Sequence, residues 1–170
     1  MTTTPHADRG KAFEALIELS NAYYARQKIA YVQKVHVKKI ESGGSLIYPE
    51  KSTVDYIGCW RGKFIAFDAK STKGDKIPMK NIKIHQYNYL EKISDNGGLG
   101  FFLIQLKKYH FINTRLDSAW ILPVGEKYNS YNWIGRTRID QQVLDNFGHR
   151  VESNPPPALF NYLRTLREII

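Results

Sequence analysis

Thr53-Val54-Asp55-Tyr56-Ile57-Gly58-Cys59-Trp60-Arg61-Gly62-Lys63-Phe64-Ile65-Ala66-Phe67-Asp68-Ala69-Lys70-Ser71 reads as two β-strands folded about a tight turn. The strands are Thr53 to Cys59 and Lys63 to Ser71, joined around Trp60-Arg61-Gly62. If Arg61-Gly62 forms a two-residue turn, Trp60 faces Lys63 and Cys59 faces Phe64. Continued along the ladder, this register sets Asp55 opposite Asp68 and Thr53 opposite Lys70. Side chains alternate along a strand, so Asp68 and Lys70 share a face. Thr53, Asp55, Asp68 and Lys70 then form a polar square among mostly apolar neighbours.

Two carboxylates about 4.5–5.5 Å apart on paired strands repel each other. A hard divalent cation between them removes the repulsion, since every ligand is an oxygen and the Ala69 carbonyl completes the set. Magnesium held this way polarises a phosphodiester and lowers the pKa of a bound water. Lys70 would hold or help deprotonate that water and offset charge developing on phosphorus. The competing reading is a solvated hairpin face with unrelated charges. A one-residue slip would turn Asp68 away from Asp55.

Outward from the hairpin, Gly10 to Gln27 carries Phe13, Leu16, Ile17 and Tyr24 at helical spacing, with Glu14 beside the stripe. Ile29 to Lys38 is β-branched and reads as a strand. Lys39 to Ser52 is polar and reads as a protruding loop or ribbon. Lys73 to Lys80 reads as a basic loop. Asn81 to Ile93 reads as a helix with Ile82, Gln86, Tyr89, Leu90 and Ile93 on one face. Leu99 to Leu106 and Tyr109 to Asn113 read as strands joined by Lys107-Lys108. Ser118 to Ile121 reads as a short helical or irregular piece, and Asp140 to Asn146 as a short helix. Pro155-Pro156-Pro157 precedes a last helix with Leu159, Leu163, Leu166 and Ile170 as its stripe. This order predicts one α/β domain over residues 1–170, a mixed central sheet flanked by helices. Residues 1–8 read as a tail, and a stalk-like insertion is expected at about 38–51, between the first two strands.

The chain has 170 residues, with 25 Lys plus Arg against 16 Asp plus Glu, a formal charge of +9. An excess of this size favours polyanions, nucleic acid above all, though a merely basic soluble protein would share it. No apolar run nears the roughly 18 residues of a membrane span. Met1 to Arg9 lacks the apolar stretch of a signal peptide. The one cysteine, Cys59, excludes an intrachain disulfide and reads as a small buried hydrophobe. A cytoplasmic protein is expected. No P-loop pattern is present, so no nucleotide cofactor is expected.

Asp55, twelve residues, then Asp68-Ala69-Lys70 resembles the core of the PD-(D/E)XK nucleases. The wider layout resembles the RecU Holliday junction resolvases within that superfamily. The shared features are Arg9-Gly10 with Phe13-Glu14, a stalk-like insertion, Ser52 to Gly58, and Gly62 to Lys73. His85-Gln86 and Gly100-Phe101-Phe102-Leu103-Ile104 follow, with a weaker echo at Arg136 to Leu144. The resemblance implies a restriction-endonuclease-like fold and a homodimer that nicks four-way junction DNA symmetrically with Mg2+, for which Mn2+ substitutes. It implies Asp55 and Asp68 as metal ligands, Lys70 as the catalytic lysine and Glu14 as a carboxylate at the edge of the metal site. Gln86 would reach the site from its helix, and Thr53 would face the scissile strand. Asp68 stands where RecU proteins usually carry Glu, and the insertion is shorter than the usual stalk, as would suit a phage relative.

Basic residues border this site. Lys34, Lys38, Lys39 and Lys51 flank the insertion, and Lys73, Lys76, Lys80 and Lys83 follow the second strand. These lysines are either a solvated face or phosphate contacts, and their position favours the second. Arg9 and the pair Arg136 and Arg138 complete the expected DNA-contacting set. Two rivals stay open: a nuclease acting on flaps or duplex DNA, and a non-catalytic DNA-binding protein on the same fold.

Overall fold

Near-continuous apolar runs along the central strands force a layered arrangement, because both faces of the sheet must be covered. The structure, a computed structural model, describes residues 7–36, 40–42, 45–47, 53–106, 119–151 and 160–170. For 7–9, 40–42 and 45–47 it describes the backbone alone. The helices are α1 (Ala7–Arg26), α2 (Ile84–Asp95), α3 (Tyr131–Ile134), α4 (Gln141–Phe147) and α5 (Tyr162–Ile169). The strands are β1 (Ala30–Lys34), β2 (Ile40–Ser42), β3 (Ser45–Ile47), β4 (Tyr56–Trp60) and β5 (Lys63–Thr72). They continue with β6 (Lys76–Pro78), β7 (Leu99–Leu106), β8 (Ala119–Pro123), β9 (Arg138–Asp140) and β10 (His149–Arg150).

The main sheet has six strands in the order β1-β4-β5-β7-β8-β10. Among the described residues only β5 and β7 run parallel; the other neighbours are antiparallel. This is the mixed α/β architecture that the sequence predicts. α1 and α5 cover one face, with Phe13, Ile17, Tyr24, Tyr162, Leu163 and Leu166 packed on Phe67 and Phe101. α2, α3 and α4 cover the other, with Leu90, Trp133, Val143 and Leu144 packed with Ala66, Phe102 and Ile104. The β2–β3 ribbon pairs only with itself and lies between β1 and β4 in sequence.

The turn that decides the register takes the expected form. Arg61 and Gly62 both have positive φ, 51° and 76°, which suits a two-residue hairpin of the I′ kind. Trp60 pairs with Lys63, Cys59 with Phe64, and the ladder runs to Tyr56 with Phe67. It stops there, one pair short of the expected Asp55–Asp68 rung, and Thr53 to Asp55 lie outside the strand. The cause is Asp55 itself: its Oδ2 accepts the Ala69 N–H at 2.9 Å, so a side chain replaces the next rung. Thr53 is exposed and does not pair with Lys70.

Other expectations need correcting. Ala119–Pro123 is strand β8, not an irregular piece; buried on both sides, it shows no alternation to read. Within the expected basic loop, Lys76–Pro78 is strand β6, paired antiparallel with β9. Ile170 follows α5 and is 46% exposed instead of joining its stripe. Cys59 is exposed, because its row, with Tyr31 and Phe64 on either side, lies on the uncovered end of the sheet. The expected strand Tyr109 to Asn113 and Leu159 lie outside the described residues.

Candidate active site

The site forms where β5 leaves the hairpin and runs beneath α2. Along β5, Ile65 and Phe67 face α1, and Ala66 faces α2. Alternation therefore turns Asp68 and Lys70 toward α2. Asp68 is fully buried. Its Oδ1 accepts a hydrogen bond from Gln86 Nε2, and its Oδ2 meets Lys70 Nζ as an ion pair. Oδ2 thus stands buried beside the Lys70 ammonium, with the Asp55 carboxylate as a second charged neighbour of Asp68. Lys70 Nζ also donates to Gln86 Oε1 at 3.3 Å. One amide thus holds both members of the ion pair.

Burial pushes the Asp68 carboxyl up to about 7; Lys70 opposes the rise and Asp55 adds to it. Asp55 lies close enough to Asp68 to add to that rise. It reaches there from the bend before β4, held by Ala69 N–H and by the bond from Val35 N to its own carbonyl at 2.8 Å. The structure therefore gathers Asp55, Asp68, Ala69, Lys70 and Gln86.

Glu14 is placed differently. It lies on α1, and its Oε2 accepts from Lys34 Nζ at 2.7 Å, while Glu18 accepts from the same ammonium at 3.0 Å. The Glu14 bond holds the Lys34 ammonium above its ordinary range. Glu14 still acts on this end of the sheet through Tyr56, which pairs with Lys34 and directly follows Asp55. Burial raises the Tyr56 hydroxyl far above its usual range, with Glu18, Glu14 and Asp55 adding. Among the described residues no group of three or more His, Cys, Asp and Glu side chains is gathered as a metal cluster.

The basic set divides. Lys73 and Lys76 are exposed on the turn and strand that follow β5. Pairing of β6 with β9 sets Pro78 opposite Arg138, so the two basic segments share one ribbon. Arg138 is tied to Asp140 at 2.8 Å, and exposed Arg136 lies over the Phe147 ring at 5.8 Å. Lys38, Lys39 and Lys51, and the Arg9 side chain, lie outside the described residues.

Three features escaped the sequence reading. Lys34 belongs by sequence with the lysines flanking the insertion, whereas in the fold it partners Glu14 across a helix and a strand. Ser71 Oγ donates to the buried Gln105 Oε1 at 2.9 Å, tying the end of β5 to β7. Gly100, inside an apolar strand, is the kind of residue that marks a close backbone approach.

The RecU family profile (recombination protein U) matches residues 8–168. A relative named Holliday junction resolvase RecU from Mycoplasmopsis pulmonis is 43% identical over 95 residues, 56% of this chain and 60% of its own length. One of the same name from Shouchella clausii is 31% identical across 95% of this chain and 80% of the relative. Among solved structures, Hjc of Archaeoglobus fulgidus, a Holliday junction resolvase, covers 75% of this chain at a TM-score of 0.43 and 12% identity. A profile that runs from the first helix into the last, with a relative aligned along nearly the full length, makes the chain a member of the RecU family.

Proposed function

We propose that this chain is a structure-selective DNA endonuclease. It resolves four-way (Holliday) junctions as a homodimer, nicking two strands symmetrically with a divalent cation, Mg2+ or Mn2+. The observation that carries this reading is the buried Asp68, joined to Lys70 and Gln86 and facing Asp55, in a RecU-family chain. A buried carboxyl with a raised pKa beside a second carboxylate is the kind of perturbed group that active sites gather.

The donor set fits a hard cation. Asp68 Oδ2 is buried beside Lys70, and Asp55 and the Ala69 carbonyl would complete an all-oxygen set with it. When bound, such an ion supplies Lewis-acid polarisation of a phosphoryl oxygen and a more acidic water. Glu14 would join at the edge of the set only by exchanging Lys34 for the cation.

The chain's own residues do the rest. Lys70 Nζ, between Asp68 and Gln86 Oε1, presents its remaining donor to an anionic oxygen at the scissile phosphate. Gln86 fixes the Asp68 carboxylate and the Lys70 ammonium in one orientation. Water attacks phosphorus in line, the bond to the 3′ oxygen breaks, and the products carry 5′-phosphate and 3′-hydroxyl ends. Thr53, exposed at the bend before β4, faces the scissile strand. Lys73, Lys76, Arg136 and Arg138, with Arg9, Lys38, Lys39 and Lys51, contact phosphates. A two-fold dimer offers two equivalent sites to a near-symmetric junction. No helix among the described residues is long and apolar enough to cross a membrane, and the working location is the cytoplasm with the DNA.

A synthetic four-way junction, a flap and a linear duplex, each with and without Mg2+, test this. Paired symmetric nicks on the junction alone are expected. Cleavage of flaps or duplex in preference, or junction binding without cleavage in Mg2+ or Mn2+, would replace the reading by one of its rivals.

A further inference from the structure

We infer that Gly100 is a positioning residue: its missing side chain sets the height of α2 above the sheet and so brings Gln86 onto Asp68 and Lys70. The contact is between backbones. A Cβ at Gly100 would lie 2.1 Å from the Leu90 carbonyl oxygen, 2.7 Å from its carbon and 3.0 Å from its Cα. No flexible side-chain tip can yield there; the helix itself must retreat. Ser94 Oγ, one turn further along α2, accepts the Gly100 N–H at 2.9 Å and fixes the helix along its axis.

The two lattices then match. Gly100 sits beside Ala66, and Phe102 beside Asp68, in the parallel pairing of β7 with β5. Leu90 rests on the Gly100 level. Gln86 is four residues earlier on the same helix face, about 6 Å along the axis. Asp68 is two residues beyond Ala66, about 6.6 Å along the strand. The helix returns antiparallel to the strand it crosses from, so one helical turn backwards equals one strand repeat forwards. Gln86 therefore meets Asp68 only while Leu90 stays seated on Gly100. A retreat of about 1 Å would break bonds that already reach 3.3 Å on the Lys70 side, and misplacement of that size can cost about 10²-fold in rate.

The rate consequence rests on the endonuclease reading; the geometric one does not. The test uses the full chain with Gly100→Ala, and Gly148→Ala as a control. A Cβ at Gly148 meets the Leu144 carbonyl oxygen at 2.8 Å, at the end of α4 and not on α2. In metal-free protein the Gln86 side-chain amide resonances should shift toward the solvent-exposed position and lose exchange protection in Gly100→Ala but not in Gly148→Ala. Junction kcat in Mg2+ should fall at least about 10-fold in Gly100→Ala with KM nearly constant. In a Gln86→Ala background, Gly100→Ala should cost less than about 2-fold more, since both act through one amide. Unchanged Gln86 resonances, or rate losses that simply multiply, overturn the inference. If Gly100→Ala does not fold, Ser94→Ala takes its place, with the same resonances shifting; their constancy overturns the inference. A wild type that cleaves no junction sinks the endonuclease reading while the resonances still decide this one.

Discussion

The carboxylate of Asp55 accepts the backbone N–H of Ala69 at 2.9 Å, tying the bend before β4 to the strand that carries Asp68 and Lys70. Asp55 therefore has a structural duty beside its charge, and the two can be separated. Asp55→Asn keeps an acceptor oxygen and should leave the fold within about 0.5 kcal/mol of wild type while abolishing cation-dependent cleavage. Asp55→Ala should lose cleavage and also about 1–3 kcal/mol, because a part-buried N–H is left unpaired. Denaturant melts beside a junction-cleavage assay check both. Wild-type cleavage by Asp55→Asn would remove Asp55 from the cation site.

Asp68 makes stability depend on pH in a defined window. Its carboxyl titrates near 3.8 when unfolded and, raised by burial, near 7 in the fold. The folded state thus holds the proton more tightly. The contribution is complete below the unfolded value and fades as pH rises through the folded one. Metal-free protein should lose stability from about pH 4 to about pH 7, and Asp68→Asn should flatten that slope. Added Mg2+ should offset the loss at neutral pH, because the cation competes with the proton. A metal-free stability that climbs across the same window would contradict the burial argument.

Lys70 is tested by charge and shape together. Lys70→Ala should reduce junction cleavage by about 10²–10³-fold while junction affinity stays near wild type. Lys70→Arg should not restore the rate, since a planar guanidinium cannot occupy the point between Asp68 Oδ2 and Gln86 Oε1. Single-turnover cleavage and gel-shift affinity separate the two effects. Equal loss of binding and rate would reduce Lys70 to a phosphate contact.

For Glu14 the ion pair with Lys34 is the decisive contact. That pair is one-third exposed on both sides, so breaking it should cost less than about 1 kcal/mol. Glu14→Gln should leave the melt nearly unchanged and weaken cation affinity in a calorimetric titration, and Lys34→Met should strengthen it. Unchanged affinity in both variants would confine Glu14 to holding Lys34.

The hairpin was legible because its signals are local: a turn dipeptide that accepts positive φ, and short, mostly apolar strand segments on either side of it. Gln86 was legible as a polar residue on an apolar helix face, where an amide needs a partner. The Asp55 bend was not, because a side chain replacing a ladder rung leaves no trace in periodicity. β8 was missed because a strand covered on both faces reads as a continuous apolar run. The exposure of Cys59 was missed because it depends on where α2 ends over the sheet. The Glu14–Lys34 pair joins a helix to a strand twenty positions away, and no spacing rule reaches that far.

The parallel pairing of β5 with β7, the single one among the described residues, has a consequence for the order of folding. The β4–β5 hairpin closes over a two-residue turn, but β5 and β7 can align only after the whole α2 crossover has returned. Loop closure of that length is slow beside a hairpin. A half-folded chain therefore holds Asp55, Asp68 and Lys70 together without the amide that orders them. Competence for cleavage would arrive only with that parallel pairing, and immature copies would stay silent on DNA.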